Sequence, residues 1–202
     1  MDITIIGTGN MARGIATRAL AGGNAVTLLG TERGKAEALA GELAGDVRTG
    51  AVGDPLATDV VVLAVWYQAF DDIVSRYGDQ LAGKTVVDIA NPLDPQTYQP
   101  IAIEAGSTAQ DLAQKVPAAK VVKAFNTSFA PTLVAGEVGG QPFDVFVASD
   151  DADAKGAVRE IIESGGLRAV DAGPLAHARQ LESLGYLHIA MQDALGTATA
   201  AR

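Results

Sequence analysis

Ile3-Thr4-Ile5-Ile6 runs directly into Gly7-Thr8-Gly9-Asn10-Met11-Ala12, a G-x-G-x-x-A spacing suited to holding a pyrophosphate. Each small residue does something different. Gly7 makes the tight turn, Gly9 lets backbone approach phosphate, and Ala12 permits close helix–sheet packing. The free N–H groups and the positive dipole end of the helix that follows attract anions without any lysine. Gly7, Thr8, Gly9, Asn10, Met11 and, near the end of the apolar strand Asp59–Val65, Ala64 are the expected contacts of a dinucleotide.

The end of the next strand decides which dinucleotide. Enzymes that prefer NAD place an Asp or Glu there for the ribose 2′-hydroxyl, whereas this chain has Gly30. Thr31, Arg33 and Lys35 follow and can bind and neutralise a 2′-phosphate, while Glu32 could instead meet a hydroxyl. The expectation is NADP(H). The plainer reading makes Thr31 only the N-cap of a helix and the two cations a solvated face.

Other candidates fall where strands end. Trp66 and Tyr67 leave the most apolar strand and are expected to wall a nicotinamide or acceptor ring, or else to pack a helix. Asn91 and Asn126 end two further strands and are read as fixing the nicotinamide amide or ribose, or as capping turns. His177, beside Pro174 and Arg179, is set near the acceptor pocket, with a surface or capping role as the alternative. His188 shares an apolar helix side with Leu184, Leu187 and Met191 and reads as a core or interface residue. Asp71-Asp72 and Asp150-Asp151-Asp153 stand at helix starts, where the dipole favours acids, so no metal is expected.

Strand and helix must alternate to position these residues. Strand Ile3–Ile6, a helix of about Asn10 to Leu20 and strand Ala25–Leu29 form one βαβ unit, predicting parallel neighbours. Asp59–Val65 is apolar without alternation, as in a central strand covered on both faces, and should lie beside the first. Further strands are predicted at Val47–Thr49, Lys84–Ile89, Ala119–Ala124, Asp144–Ala148 and Arg168–Asp171. Ser107-Thr108-Ala109-Gln110 has the form of a capping box. Prolines 92, 95 and 100 demand a loop, Pro131–Pro142 reads as a loosened stretch, and a last helix should run from about Leu175 to Leu195. The fold class is α/β, a Rossmann-type doubly wound parallel sheet.

Composition narrows the function further. Fifteen basic against 24 acidic side chains give a net charge of −9, unfavourable for nucleic acid or anionic membrane surfaces. With no cysteine, thiolate nucleophiles and disulfides are excluded. Met1-Asp2-Ile3 lacks the features of a secretory leader, and the longest apolar run, Val60 to Tyr67, is too short to span a bilayer. The expectation is a cytoplasmic protein with small-molecule partners.

Four stretches together resemble the coenzyme F420-dependent NADP oxidoreductase family: Gly7-Thr8-Gly9-Asn10, Gly30-Thr31-Glu32-Arg33, Val122-Lys123-Ala124-Phe125-Asn126-Thr127, and Asp171-Ala172-Gly173-Pro174-Leu175 with Arg179 and Glu182. The resemblance implies a Rossmann domain, residues 1–140, and a small C-terminal α/β part, residues 141–202, that completes an acceptor cleft. It also implies hydride exchange between NADP(H) and an F420-type deazaflavin, and it favours a homodimer. A related branch passes hydride to a flavin in ferric reductases. Trp66-Tyr67 stands where relatives commonly have Pro and an aromatic residue, and His177 where deazaflavin enzymes tend to have Asn. Ring-to-ring hydride transfer requires orientation and exclusion of water rather than an acid or base, so no catalytic residue is obligatory. A flavin or ferric reductase, or a non-catalytic NADP sensor, is the alternative.

Overall fold

A computed structural model describes residues 1–192. One eight-stranded sheet forms the body, in the order β10-β9-β6-β5-β4-β1-β2-β3. Its strands are β1 (Asp2–Ile6), β2 (Ala25–Gly30), β3 (Val47–Ala51), β4 (Val60–Leu63), β5 (Thr85–Asp88), β6 (Lys120–Ala124), β9 (Asp144–Ala148) and β10 (Arg168–Gly173). A two-residue hairpin pair, β7 (Glu137–Val138) and β8 (Gln141–Pro142), lies outside it.

The helices are α1 (Asn10–Ala21), α2 (Arg33–Ala40), α3 (Phe70–Tyr77), α4 (Thr108–Lys115), α5 (Ala130–Ala135), α6 (Ala152–Ser164) and α7 (Ala178–Ala190). Strand residues alternate between two cores because successive side chains leave opposite faces. Ile3, Ile5, Val60 and Val62 join one core with Ile15 of α1 and Val158 and Ile161 of α6. Ile6, Val61 and Leu63 join the other with Phe70 and Ile73 of α3 and Leu112 of α4. Burial on both faces is why these strands read as unbroken apolar runs. Among the described residues, no helix is long and apolar enough to cross a membrane.

As expected, β1 is parallel to β2 on one side and to β4 on the other. The chain moves outward from β1 to β3 and then returns to β4, so the order reverses between β1 and β4. Ligands of open α/β sheets bind outside the carboxyl ends of the strands at such a reversal.

Four expectations need correction. The sheet is not wholly parallel: β9 is antiparallel to β6, with Lys123 opposite Ala148, while β10 is parallel to β9. β9 and β10 therefore run in the opposite direction to β1–β6, and β10 ends at Gly173, level with Ala148 and so with Lys123 of β6. Thr31 is not a helix cap, because α2 starts at Arg33 after Glu32 and has no side-chain cap bond. The stretch Pro131–Pro142 is more ordered than expected: Pro131 lies in the first turn of α5, where its missing N–H is harmless, and Gly136 closes that helix in the left-handed region. Finally, a single tight turn, Leu175–His177, precedes the last helix, which runs over Ala178–Ala190; Leu195 lies outside the described residues. Of the capping box the N-cap bond forms, Ser107 Oγ accepting from Gln110 N at 3.1 Å, while Gln110 Oε1 accepts from the Ser107 hydroxyl at 3.0 Å.

Candidate functional site

The glycine turn sits at the point of strand reversal. Gly7 has φ +124°, and a Cβ there would collide with the carbonyl oxygen of Ala64, so only glycine fits. Ala64 itself extends the β1–β4 pairing by donating from its N to Ile6 O at 2.8 Å. Gly9 differs: it is the N-cap of α1, and a Cβ there would meet no protein atom within 4 Å. Among the described residues no side chain caps α1 and no acid occupies its first turn, so its first N–H groups are left without a side-chain partner there. This cradle fits a pyrophosphate. Asn10 is exposed and Met11 half-buried against the first core, while the Thr8 methyl lies beside Gly30.

After β2, the two cations expected to meet a 2′-phosphate each hold an acid. Arg33 Nη2 pairs with Asp54 Oδ2 at 2.9 Å and Nη1 donates to Thr49 O at 3.3 Å. Lys35 Nζ pairs with Glu32 Oε1 at 2.7 Å. Both pairs are solvated, so each costs little to exchange for a better anion. Thr31 is exposed beside them. Asp54 is not legible in the sequence as a neighbour of Arg33, since 21 residues separate them and only the β3 turn joins them.

Asn91 and Asn126 come together as a pair. Asn91 Nδ2 donates to Asn126 O, and Asn126 Nδ2 donates back to Asn91 Oδ1, both at 2.9 Å. Asn126 Nδ2 also donates to Leu181 O of α7 at 2.9 Å. A Cβ at Gly185 would stand 2.7 Å from Asn91 Oδ1, so α7 approaches the pair through a glycine. Asn126 Oδ1 and Ser128 Oγ are buried with no hydrogen-bond partner among the described residues. Phe125, packed in the core, has φ 62°. Buried polar atoms are normally paired and a bulky residue normally avoids this backbone region, so both features single out the turn after β6.

Trp66 and Tyr67 diverge. Trp66 is exposed at the carboxyl edge. Tyr67 turns toward α4, donates from its hydroxyl to Asp111 Oδ2 at 2.9 Å and packs edge-on against Phe70. Burial, with that bond to a carboxylate, pushes the Tyr67 phenol up.

His177 bonds within its own turn. It lies on the turn after β10, exposed, with Nδ1 2.5 Å from Ala172 O. From there α7 rises about 12 Å over eight residues before Gly185 reaches Asn91. His188, farther along α7, does arrive near the turn after β6, with Nδ1 3.4 Å from Thr127 O and its ring tilted against Phe129.

Beneath the asparagine pair lies an ionic cluster. Lys123 Nζ donates to Asp88 Oδ2 at 3.0 Å, Glu182 Oε1 at 2.7 Å, Thr108 Oγ1 at 2.8 Å and Ala90 O at 2.5 Å. Thr108 N also donates to Glu182 Oε1, at 2.9 Å. Burial, opposed by Lys123, pushes the Glu182 carboxyl up. The cluster joins β5, α4, β6 and α7. Lys123 and Asp88 are detectable in the sequence as charges inside apolar strands, but their meeting with Glu182, 59 residues beyond Lys123, is not.

A family model described as NADP oxidoreductase coenzyme F420-dependent matches residues 2–92. The F420-dependent NADP reductase of Methanothermobacter thermautotrophicus is 32% identical, over 91% of this chain and 86% of that protein. Metalloreductase STEAP3 of Rattus norvegicus is 34% identical over 90% of this chain, which spans only 36% of that longer protein. A solved structure from Arthrobacter sp. FB24, provisionally assigned as an F420-dependent NADP-reductase, superposes with a TM-score of 0.80 at 30% identity, over 96% of this chain and 94% of its own.

Proposed function

The chain belongs to the coenzyme F420-dependent NADP oxidoreductases, and we propose that within this family it moves hydride between NADP(H) and an F420-type deazaflavin. The observation that carries the reading is the open side of Gly9 at the β1–β4 reversal, with Trp66 and the Asn91–Asn126 pair ending neighbouring strands at the same carboxyl edge.

The backbone N–H groups of Gly9, Asn10 and Met11 would hold the pyrophosphate, with Gly7, Thr8 and Ala64 shaping the turn around it. Thr31, Arg33 and Lys35 would take the 2′-phosphate, Arg33 and Lys35 exchanging part of their bonding to Asp54 and Glu32 for a stronger, charge-assisted contact. NADPH, when bound, supplies the hydride. Asn126 Oδ1, buried and without a hydrogen-bond partner among the described residues, is the acceptor for a ligand N–H or O–H, and Asn91 orients it. The proton that balances the reduced ring comes from solvent after the hydride has passed, so during transfer the chain has only to align two rings and keep water out. Trp66 supplies aromatic surface for one of them; Tyr67, bonded to α4, backs the turn that carries it. The protein is cytoplasmic, and α7, with exposed Leu187 and Met191, pairs with its copy in a homodimer.

Mixing the protein with NADPH and the deazaflavin tests the reading: the deazaflavin band should bleach, and much less with NADH. Similarity to rat STEAP3 supports a second reading in which a flavin or ferric chelate accepts the hydride. Turnover with FMN, FAD or ferric chelate but not deazaflavin would select it. Tight NADPH binding with no acceptor reduced would leave a sensor.

A further inference from the structure

Two aromatic rings that neither core uses stand together at the carboxyl edge. Trp66 is 45% exposed and Tyr98 49% exposed. Their centroids are 5.9 Å apart and their planes meet at 68°, an edge-to-face pair. A single exposed aromatic residue is ordinary, but a preorganised pair beside the strand reversal is not.

Tyr98 is held in an unfavourable backbone region, φ 56°, which bulky residues avoid. The loop around it is built to keep it there. Asp94 Oδ1 accepts from Gln96 N at 2.9 Å, Thr97 N at 2.8 Å and Thr97 Oγ1 at 3.0 Å, while Tyr98 N donates to Asp94 O at 2.8 Å. A bridge between Leu93 and Pro100 closes the loop. Gln68 Nε2 donates to Leu93 O at 2.9 Å, tying this loop to the turn that carries Trp66. Backbone strain maintained by so many local bonds, to present an exposed ring, is typical of a ligand clamp. Just beyond the loop, a cavity of about 370 Å³ lies between Ile101–Gly106 and Arg179, whose guanidinium has no ion pair among the described residues.

We propose that Tyr98, set edge-on to Trp66, walls the subsite for the planar tricyclic ring of the hydride acceptor and is a specificity-determining residue for it. The inference rests on the ring-to-ring reading above. A face formed by two rings at a steep angle accepts a third, flat ring by offset or edge contact, a mode available to a deazaflavin or a flavin and not to a ferric chelate. The sequence does not point to Tyr98, because it lies in a proline-bounded loop and reaches Trp66 only through the closure at Leu93 and Pro100.

Trp66 is the chain's single tryptophan, so its emission reports on this corner alone. The full chain is titrated with 8-hydroxy-5-deazariboflavin and, separately, with FMN, in the absence of NADPH. Saturable quenching is expected with at least one ring. Tyr98→Ala should weaken its Kd about tenfold, the size of one aromatic stacking contact, with NADPH affinity unchanged. Tyr98→Phe should bind the ring as the wild type does, which separates loss of the ring from damage to the loop. Unaltered ring binding in Tyr98→Ala, or an equal loss for NADPH, would overturn the inference. Tyr98-dependent ring binding without turnover would refute the hydride reading and leave the subsite standing; normal turnover with an unchanged acceptor KM in Tyr98→Ala would do the reverse.

Discussion

Glu182 of α7 holds Lys123 of β6 by a 2.7 Å ion pair in which Lys123 is wholly shielded from solvent and Glu182 is 4% exposed. Asp88 shares the same ammonium, so two carboxylates surround one cation in a dry interior. Such a cluster adds little net stability over apolar packing, but breaking it exposes its cost.

Lys123→Met should therefore destabilise the protein by about 3–5 kcal/mol, because it leaves two buried carboxylates without a cation. Glu182→Gln in the same background should recover part of that loss. Burial raises the Glu182 carboxyl above its ordinary value, so folding favours its protonated form. That contribution is complete below the ordinary value and is lost as pH climbs through the raised one. Urea midpoints between pH ~4 and ~7 should show Glu182→Gln gaining on the wild type as pH rises. A constant difference would sink the assignment.

Gly9→Ala separates binding from folding. Its new Cβ meets no protein atom within 4 Å, so the melting temperature should stay near wild type. The methyl would nonetheless occupy the approach of the pyrophosphate and weaken NADPH by about tenfold or more. Calorimetry beside a thermal melt reads both, and wild-type affinity would place the phosphates elsewhere. Gly7→Ala should lose stability as well, through its clash with Ala64.

Arg33→Ala should weaken NADPH by about 1–3 kcal/mol and leave NADH nearly unchanged, since a charged hydrogen bond to the 2′-phosphate is removed. Asp54→Asn frees the same guanidinium and should tighten NADPH. Parallel losses for both cofactors in Arg33→Ala would refute the 2′-phosphate role.

Asn126→Ala removes the side-chain bonds to Asn91 and Leu181 together with an Oδ1 that has no partner among the described residues. Under the proposed function kcat should fall by about tenfold or more through misalignment of the rings, with NADPH affinity close to wild type. Stopped-flow hydride transfer distinguishes this from slower product release. An unchanged transfer rate would reduce the pair to a structural tie.

Much of the fold is legible in the sequence because its signals are local. The βαβ unit, the unbroken run Val60–Leu63 and the Ser107 cap each report on a few consecutive residues. Thr31 reads as a cap but is none, because Glu32 and Arg33 start the helix one residue later, and no local rule fixes that boundary. The Pro131–Pro142 stretch reads as loose, yet its short helix owes its order to packing on α1, where Leu133 lies against Gly14.

What the sequence by itself determined is the glycine-turn end of the candidate site: Gly7, Gly9 and the start of α1 form a continuous segment whose backbone geometry follows from residue type. Only the tertiary structure decided the other end. The antiparallel entry of β9 reverses the direction of β9 and β10, and α7 then brings Glu182 onto Lys123 and Leu181 onto Asn126. Loop closure at Leu93 and Pro100 sets Tyr98 against Trp66. These meetings join residues 32 to 59 positions apart, and their geometry comes from sheet order and side-chain packing, which no run of neighbouring residues encodes.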